Sequence, residues 1–479
     1  MKMIINGIHC DSSDGKTIDV LNAASQTLIE SIPDATKDDV DKALVFAKKG
    51  AEKWGNTPLY ERISIIYKFS NLLDANAEKI AGVLCEECGK PISQALSETK
   101  GAAFIFRCYA ERARSLMGDV HPVAPAPNVE KDVILCIRKP LGVVVCIIPF
   151  NYPVDLYAEK VAPALVMGNS VVVKPSTDAP LANIMMTELL LQAGVPGDAI
   201  QIITGKGERL GKWLCDSLVV DAVSLTGSTQ VGVETMMNSS KFLHKVELEL
   251  GGNDPFIICN DADVDLAVEE TLAGRIVNAG QTCCGSKRFL VQSGIYDKFL
   301  AALTHRFENL IIGDPKNPET ELGSMINEAS VDKLEKQIAH TVEQGARVHS
   351  GGERISKTYY QPTILVDVTR EMDIAKDMEV FGPVVPIIRF ETVEEAIEIA
   401  NQTCYGLQSG VMTLNMTDAF LFGSKLECGC VTIGGCGNYR SVLQPFGGWK
   451  MSGNAHEGVG YTLEEMSKLK TIAFKKVLL

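Results

Sequence analysis

Three short segments rich in Val and Ile constrain this chain more than anything else in it: GVVVCII (142–148), NSVVVKP (169–175) and AIQIIT (199–204). A strand with one face in water alternates apolar and polar side chains, and these do not. Runs of this kind, separated by stretches of helical periodicity, are the pattern of a parallel sheet covered on both faces by helices. The pattern returns after residue 285, with KRFLVQSG, a helix through about Phe299–Leu310, and further strands and helices to about 430. Two α/β domains are expected, and 479 residues with 46% hydrophobic side chains can fill them. Ahead of the strands, TKDDVDKALVFAKKGAEKW reads as a helix: Thr36 and Asp39 are spaced for a capping box, and Val40, Ala43, Leu44, Ala47 and Trp54 share one face. A second helical pattern runs from about Leu59 to Cys88.

The formal net charge of −14 argues against nucleic acid or an anionic membrane as partner, because an acidic surface repels phosphate. The start, MKMIINGIHC, lacks the apolar core of a signal peptide, and no apolar run approaches the ~18 residues a membrane span needs. A cytoplasmic protein is expected, its 14 cysteines held as reduced thiols. Cys85 and Cys88 form a CxxC, and Cys428 and Cys430 a CxC, but neither has partners at zinc-ligand spacing, and the histidines are scattered singly. No metal site is expected.

In a doubly wound sheet, ligands gather at the carboxyl ends of strands. Three such ends stand out. PFNYP (149–153) sets Asn151 between prolines; KPSTDAP (174–180) ends a strand with Lys174; and SLTGSTQVG (224–232) turns through Gly227 and Ser228 into a helix whose free N–H groups suit a phosphate. GKGERLG (205–211) has the wrong spacing for a dinucleotide fingerprint. By their types alone, Asn151 reads as a turn cap and Glu249 as a half-buried strand residue sooner than as functional groups. NAGQTCCGSKRFL (278–290) places Cys283 beside Cys284, and the residues leave four readings open: redox switch, half of a metal site, core filling, or a nucleophile with a neighbour.

Taken in order, PFNYP, KPSTDAP, TGSTQVG, ELGG, GQTC, EVFGPV (379–384) and PFGGWKMSG (445–453) resemble the aldehyde dehydrogenase superfamily over essentially the whole chain. The resemblance implies an α/β fold with a Rossmann-type dinucleotide domain (1–119 and 141–248) and a catalytic domain (249–447). It also implies an oligomerisation segment (120–140 and 448–479), whose hairpin at about 120–140 is closed by a strand at about 466–479, and a homodimer or homotetramer. The cysteine two after GQ, Cys283, is then the nucleophile, its thiohemiacetal oxyanion held by the Asn151 amide and the Cys283 N–H. Glu249 of ELGG becomes the base for hydrolysis of the thioester. Cys284 is left as a packed neighbour, with a transient disulfide or sulfenamide-type link under oxidation as the other reading. Glu379 matches the ligand of the nicotinamide ribose, and Phe381 the ring beside the nicotinamide.

The family's acid for the adenosine ribose lies three residues after the strand-end lysine, where this chain has Thr177. Lys174, Ser176 and Thr177 thus offer a cation and two hydroxyls, which favours NADP, with NAD also usable; Asp178 next door is the one acid able to read a ribose. The resemblance places Tyr152, Asp155 and Glu159 along the substrate tunnel with Thr282 and Arg440. Arg440 has two readings, a bidentate clamp on a substrate carboxylate or the neutralising partner of Glu159. The nearest branches are the lactaldehyde, succinate-semialdehyde and non-phosphorylating glyceraldehyde-3-phosphate dehydrogenases. Thr282 stands where the last of these carries an arginine, so a small hydroxy- or carboxy-aldehyde is expected. The alternatives are a relative that passes its thioester to coenzyme A, which generally lacks the base at Glu249, and a non-catalytic protein on the same fold.

Overall fold

A computed structural model describes the chain except residues 117, 123 and 479, which fall within the expected segments 1–119, 120–140 and 448–479. Its first sheet has seven strands in the order Lys245–Glu249, Ala222–Thr226, Val143–Ile147, Ser170–Lys174, Ile200–Ile202, Met3–Ile5, Ile8–Cys10. The first five run parallel and the last two join antiparallel. The Val runs explain why this sheet lies inside: Val143–Val145 and Val171–Val173 are all 0% exposed. Each such side chain contributes roughly 1.5–3 kcal/mol when withdrawn from water. From Val143–Ile147 the chain winds outward through Ser170–Lys174 and Ile200–Ile202, then returns to place Ala222–Thr226 on the opposite side. The crevice at that reversal opens between the ends of Val143–Ile147 and Ala222–Thr226, where PFNYP and TGSTQ begin.

The second sheet also has seven strands, in the order Arg347–Ser350, Thr363–Val368, Val384–Phe390, Ser286–Gln292, Asp254–Ile258, Gln408–Met412, Cys430–Ile433. Only its first pair is antiparallel. The doubly covered α/β architecture expected from the sequence is therefore present in both halves. A separate three-stranded antiparallel sheet joins Asp119–Val120, Val133–Pro140 and Ser467–Phe474. Among the described residues, no helix is long and apolar enough to cross a membrane.

The capping box forms as the spacing predicts. The Asp39 N–H donates to Thr36 Oγ1 (3.3 Å) and the Thr36 N–H to Asp39 Oδ2 (2.9 Å), opening the helix Lys37–Asn56. The second helical pattern is not one helix but two, Leu59–Ala75 and Ala77–Cys88. Asn76 breaks it: its backbone leaves the helical region (φ −109°, ψ 10°) and its side chain donates to the Leu72 carbonyl (2.8 Å). A short amide competes with the helix for its own carbonyls, and here it ends one helix and starts the next.

Candidate active site

Cys283 lies on a loop held in an uncommon backbone. Asn278 and Ala279 have φ of +52° and +53°, followed by Gly280 at +72°. The left-handed region costs a residue with a Cβ roughly 1–2 kcal/mol, so something must hold it. Asn278 N–H donates to Gln94 Oε1 (2.9 Å), Asn278 Nδ2 to the Asn151 carbonyl (2.8 Å), and Ile326 N–H to Gln281 Oε1 (3.0 Å). A Cβ at Gly280 would overlap the Gly382 carbonyl, so only glycine fits there. The result is a cysteine in a fixed place, its loop held by Gln94 and Asn151 from the first half of the chain and by Ile326 and Gly382 from the second.

Cys283 is the wall shared by two cavities. The first, about 250 Å³, is lined by Phe150, Asn151, Gly227, Ser228, Glu379 and Phe381 among others, and occupies the crevice of the first sheet. The second, about 540 Å³, is lined by Tyr152, Asp155, Thr282, Cys284, Arg440 and Phe446, and by Gln94 and Glu98 from the helix Ile92–Ala113. Asn151 Nδ2 donates one hydrogen to the Gln281 carbonyl (3.0 Å), which holds the amide two residues ahead of the cysteine and leaves its second hydrogen for a ligand. No protein acceptor takes the Cys283 N–H among the described residues.

The Cys283 thiol is held below its usual range. A hydrogen bond from Cys284 contributes most, and Lys287 and Arg440 add to it against the effect of burial. The Cys284 thiol is pushed well up by the same bond and by burial. In the structure the Cys284 thiol donates to Asn438 Oδ1 (3.3 Å), and an ionised Cys283 beside it would draw that proton away from the neutral amide. Cys284 also packs with Leu407 and Phe446, so it is core filling and a hydrogen-bond donor at once. Replacing Cys284 by alanine removes the donor and should raise the Cys283 pKa. The thiolate is lost as pH falls through that pKa, so the midpoint of iodoacetamide alkylation of Cys283 should move to higher pH. An unmoved midpoint would show that the bond contributes nothing.

The first cavity has what a dinucleotide needs. Ser228 caps the helix Thr229–Ser239, accepting from the Val231 N–H (3.4 Å), and the free N–H groups of that helix start face the crevice. Glu379 Oε1 accepts from the Gly252 N–H (3.1 Å) and pairs with Lys287 (3.4 Å), which leaves Oε2 for a ligand hydroxyl. Phe381 stands edge-on to Phe150, ring centres 6.1 Å apart. Lys174, Ser176 and Thr177 lie at a neighbouring strand end and line neither cavity. Lys174 is only 5% exposed, pairs with no carboxylate among the described residues, and is pulled down to about 8 by burial, with Asp178 opposing. A buried, unpaired ammonium is costly, and an anion would relieve it. Asp178 is engaged elsewhere, accepting from Asn327 Nδ2 (3.2 Å).

Two expected residues sit differently. Glu159 is not on the tunnel wall. It is buried behind Arg440, with Oε1 2.9 Å from Arg440 Nη2 and Oε2 accepting from the Tyr109 hydroxyl (2.6 Å). Glu249 ends its strand beside Thr226, but its carboxyl faces a small closed cavity shared with Glu159, Lys160, Glu247 and Glu457. Neither Glu249 oxygen has a hydrogen-bond partner. Burial first, then the charge of Glu457, holds this carboxyl well above the usual carboxylate range. The sequence reading missed Lys160 and Glu457, an ion pair at 2.8 Å with both side chains nearly fully buried. It also missed Glu98, though a charge on the stripe Ala95, Thr99, Ala102, Ala103 was a signal that this helix face served more than packing.

A family model, the aldehyde dehydrogenase family, matches residues 9–472. The chain is 38% identical over 471 residues to the mitochondrial succinate-semialdehyde dehydrogenase of Arabidopsis thaliana, covering 98% of this chain and 88% of that one. It is 36% identical over 469 residues to the NADP(+) succinate-semialdehyde dehydrogenase of Escherichia coli K12, covering 98% and 96%. A solved lactaldehyde dehydrogenase superimposes with a TM-score of 0.95 at 34% identity, covering 99% of each chain.

Proposed function

The chain belongs to the aldehyde dehydrogenase family and is an NAD(P)-dependent dehydrogenase of small polar aldehydes, and from that premise we propose the roles of its residues and its cofactor preference. One observation carries the proposal: Cys283 is the wall common to a cavity suited to a dinucleotide and a second cavity in which polar side chains are set among apolar ones. An aldehyde held in the second reaches the sulfur from one side while the first delivers the redox partner from the other.

The Cys283 thiolate adds to the aldehyde carbon, forming a C–S bond and placing negative charge on the former carbonyl oxygen. The free N–H of Asn151 and the Cys283 N–H receive that oxyanion. Glu379 and the helix start at Ser228 would hold the dinucleotide by its ribose and phosphates, with Phe381 against the ring. When bound, the dinucleotide supplies the acceptor for the hydride that leaves the carbon. A thioester on Cys283 results, and water must then attack it. For Glu249 to take the proton from that water, its side chain has to turn from the rear cavity toward Cys283. Collapse then breaks the C–S bond, releasing the acid and restoring the thiolate. The exposed Leu469 on the edge strand of the three-stranded sheet supports a homo-oligomer in which a second copy covers it.

NADP is the preferred cofactor in this reading, because the unpaired Lys174 beside Ser176 and Thr177 suits a 2′-phosphate and Asp178 is occupied by Asn327. Wild type should show higher kcat/KM with NADP than with NAD. Thr177→Glu sets a carboxylate beside that phosphate. Two charges at ~4 Å repel by about 4 kcal/mol at an effective dielectric of about 20, and solvent lowers this. Even ~1.4 kcal/mol is tenfold, so the preference should swing measurably toward NAD. A wild type that favours NAD, or a mutant whose preference stays put, would overturn this assignment.

A further inference from the structure

Arg440 is the only cation lining the second cavity among the described residues, and one edge of its guanidinium is already engaged by acids. Its Nη2 is 2.9 Å from Glu159 Oε1 and 2.9 Å from Glu457 Oε2, while Nη1 is 3.9 Å from the Asp155 carboxylate. Lys160 pairs with the other oxygen of Glu457. Three carboxyl groups therefore crowd two cations: burial raises Glu159 and holds Asp155 at about 7, and Arg440 Nη2, already shared by Glu159 and Glu457, has no hydrogen left for an incoming anion. Asp155 makes this worse, for it lies on the cavity wall with its side chain 24% exposed. The second acid on the wall, Glu98, is matched by Lys90 and accepts the Val154 and Asp155 N–H groups (2.9 and 3.2 Å), so it neither attracts nor frees a cation. The rest of the wall is uncharged, with the hydrogen-bonding groups of Gln94, Thr282 and Asn438 set among apolar Leu156, Val277 and Phe446.

We propose that this cavity selects an uncharged, hydroxylated aldehyde and discriminates against one that carries a carboxylate. The inference rests on the dehydrogenase reading and narrows its substrate class, setting this chain apart from its succinate-semialdehyde relatives. A carboxylate entering the cavity would leave its water shell, meet Asp155, and find Arg440 Nη2 already shared by two acids. A hydroxyl loses little on entry and can take a hydrogen from Arg440 Nη1 or give one to Asp155.

The test compares kcat/KM for lactaldehyde, succinate semialdehyde, the methyl ester of succinate semialdehyde, and 4-aminobutyraldehyde. The ester keeps the carbon chain and removes only the charge. Lactaldehyde and the ester should each exceed succinate semialdehyde by about tenfold or more, which corresponds to ~1.4 kcal/mol. In Asp155→Asn the ratio of succinate semialdehyde to its ester should rise several-fold. Succinate semialdehyde matching or beating its ester in wild type would overturn the proposal, as would a ratio unmoved in folded Asp155→Asn. Preference for 4-aminobutyraldehyde would also overturn it, making Asp155 an ammonium site. Oxidation of none of the four, nor of any longer aldehyde, would bring down the dehydrogenase reading itself.

Discussion

Cys283→Ser is expected to lose essentially all aldehyde oxidation, at least about 10³-fold in kcat, while Cys284→Ser keeps most of it. A serine hydroxyl ionises far above neutral pH, and the devices around position 283 are tuned to a thiol: the Cys284 hydrogen bond together with Lys287 and Arg440 lowers a sulfur that burial would raise. None of these brings an alcohol to a useful alkoxide fraction. The fold should survive, because the loop is held by Asn278, Gln281 and the Gly280 contact rather than by the sulfur. Cofactor binding, read by fluorescence quenching, should therefore persist in the inactive variant. At position 284 serine retains both small volume and a donor, which is why it is milder than alanine there. Comparable losses in both variants, or loss only at 284, would transfer the nucleophile's role to the neighbour.

The sequence made some of this site legible and hid the rest for definite reasons. Asn151, Gly227, Ser228, Cys283, Glu379 and Phe381 stand in short contiguous motifs at strand ends, and the topology brings such ends together at one crevice. Tyr152, Asp155 and Glu159 are spaced by three and four, so a helix puts them on one face and the sequence reads one wall. The structure separates them by depth: Tyr152 and Asp155 line the cavity, while Glu159 meets Arg440 from behind. Lys160 and Glu457 were out of reach of any local reading, since 297 residues separate them and a lone lysine on an apolar helix looks like an ordinary surface residue. The break at Asn76 belongs to the same class. An apolar period continues across it, and only the side chain's bond back to Leu72 ends the helix.

Glu249→Gln is expected to leave acylation intact and stall hydrolysis of the thioester. On mixing enzyme, NADP and aldehyde, reduced cofactor should appear in a burst of about one equivalent per site, followed by a steady rate lower by roughly 10²–10⁴-fold, the range a positioned general base supplies. The order of events demands this, since the hydride leaves before water is needed. The acid limb of the wild-type pH profile gives a second reading of the same residue. Its carboxyl is held well above the usual range by burial and by Glu457, so the basic form is lost as pH falls through that raised value. Turnover limited by hydrolysis should accordingly climb with pH on the neutral-to-alkaline side of where an ordinary carboxylate would set the limb. Glu457→Gln takes away a like charge and should move the limb toward lower pH, whereas Glu249→Gln should erase it. If the Glu249 variant binds cofactor, shows no burst and turns over slowly from the first cycle, then Glu249 acts at or before hydride transfer, and another group must activate the water.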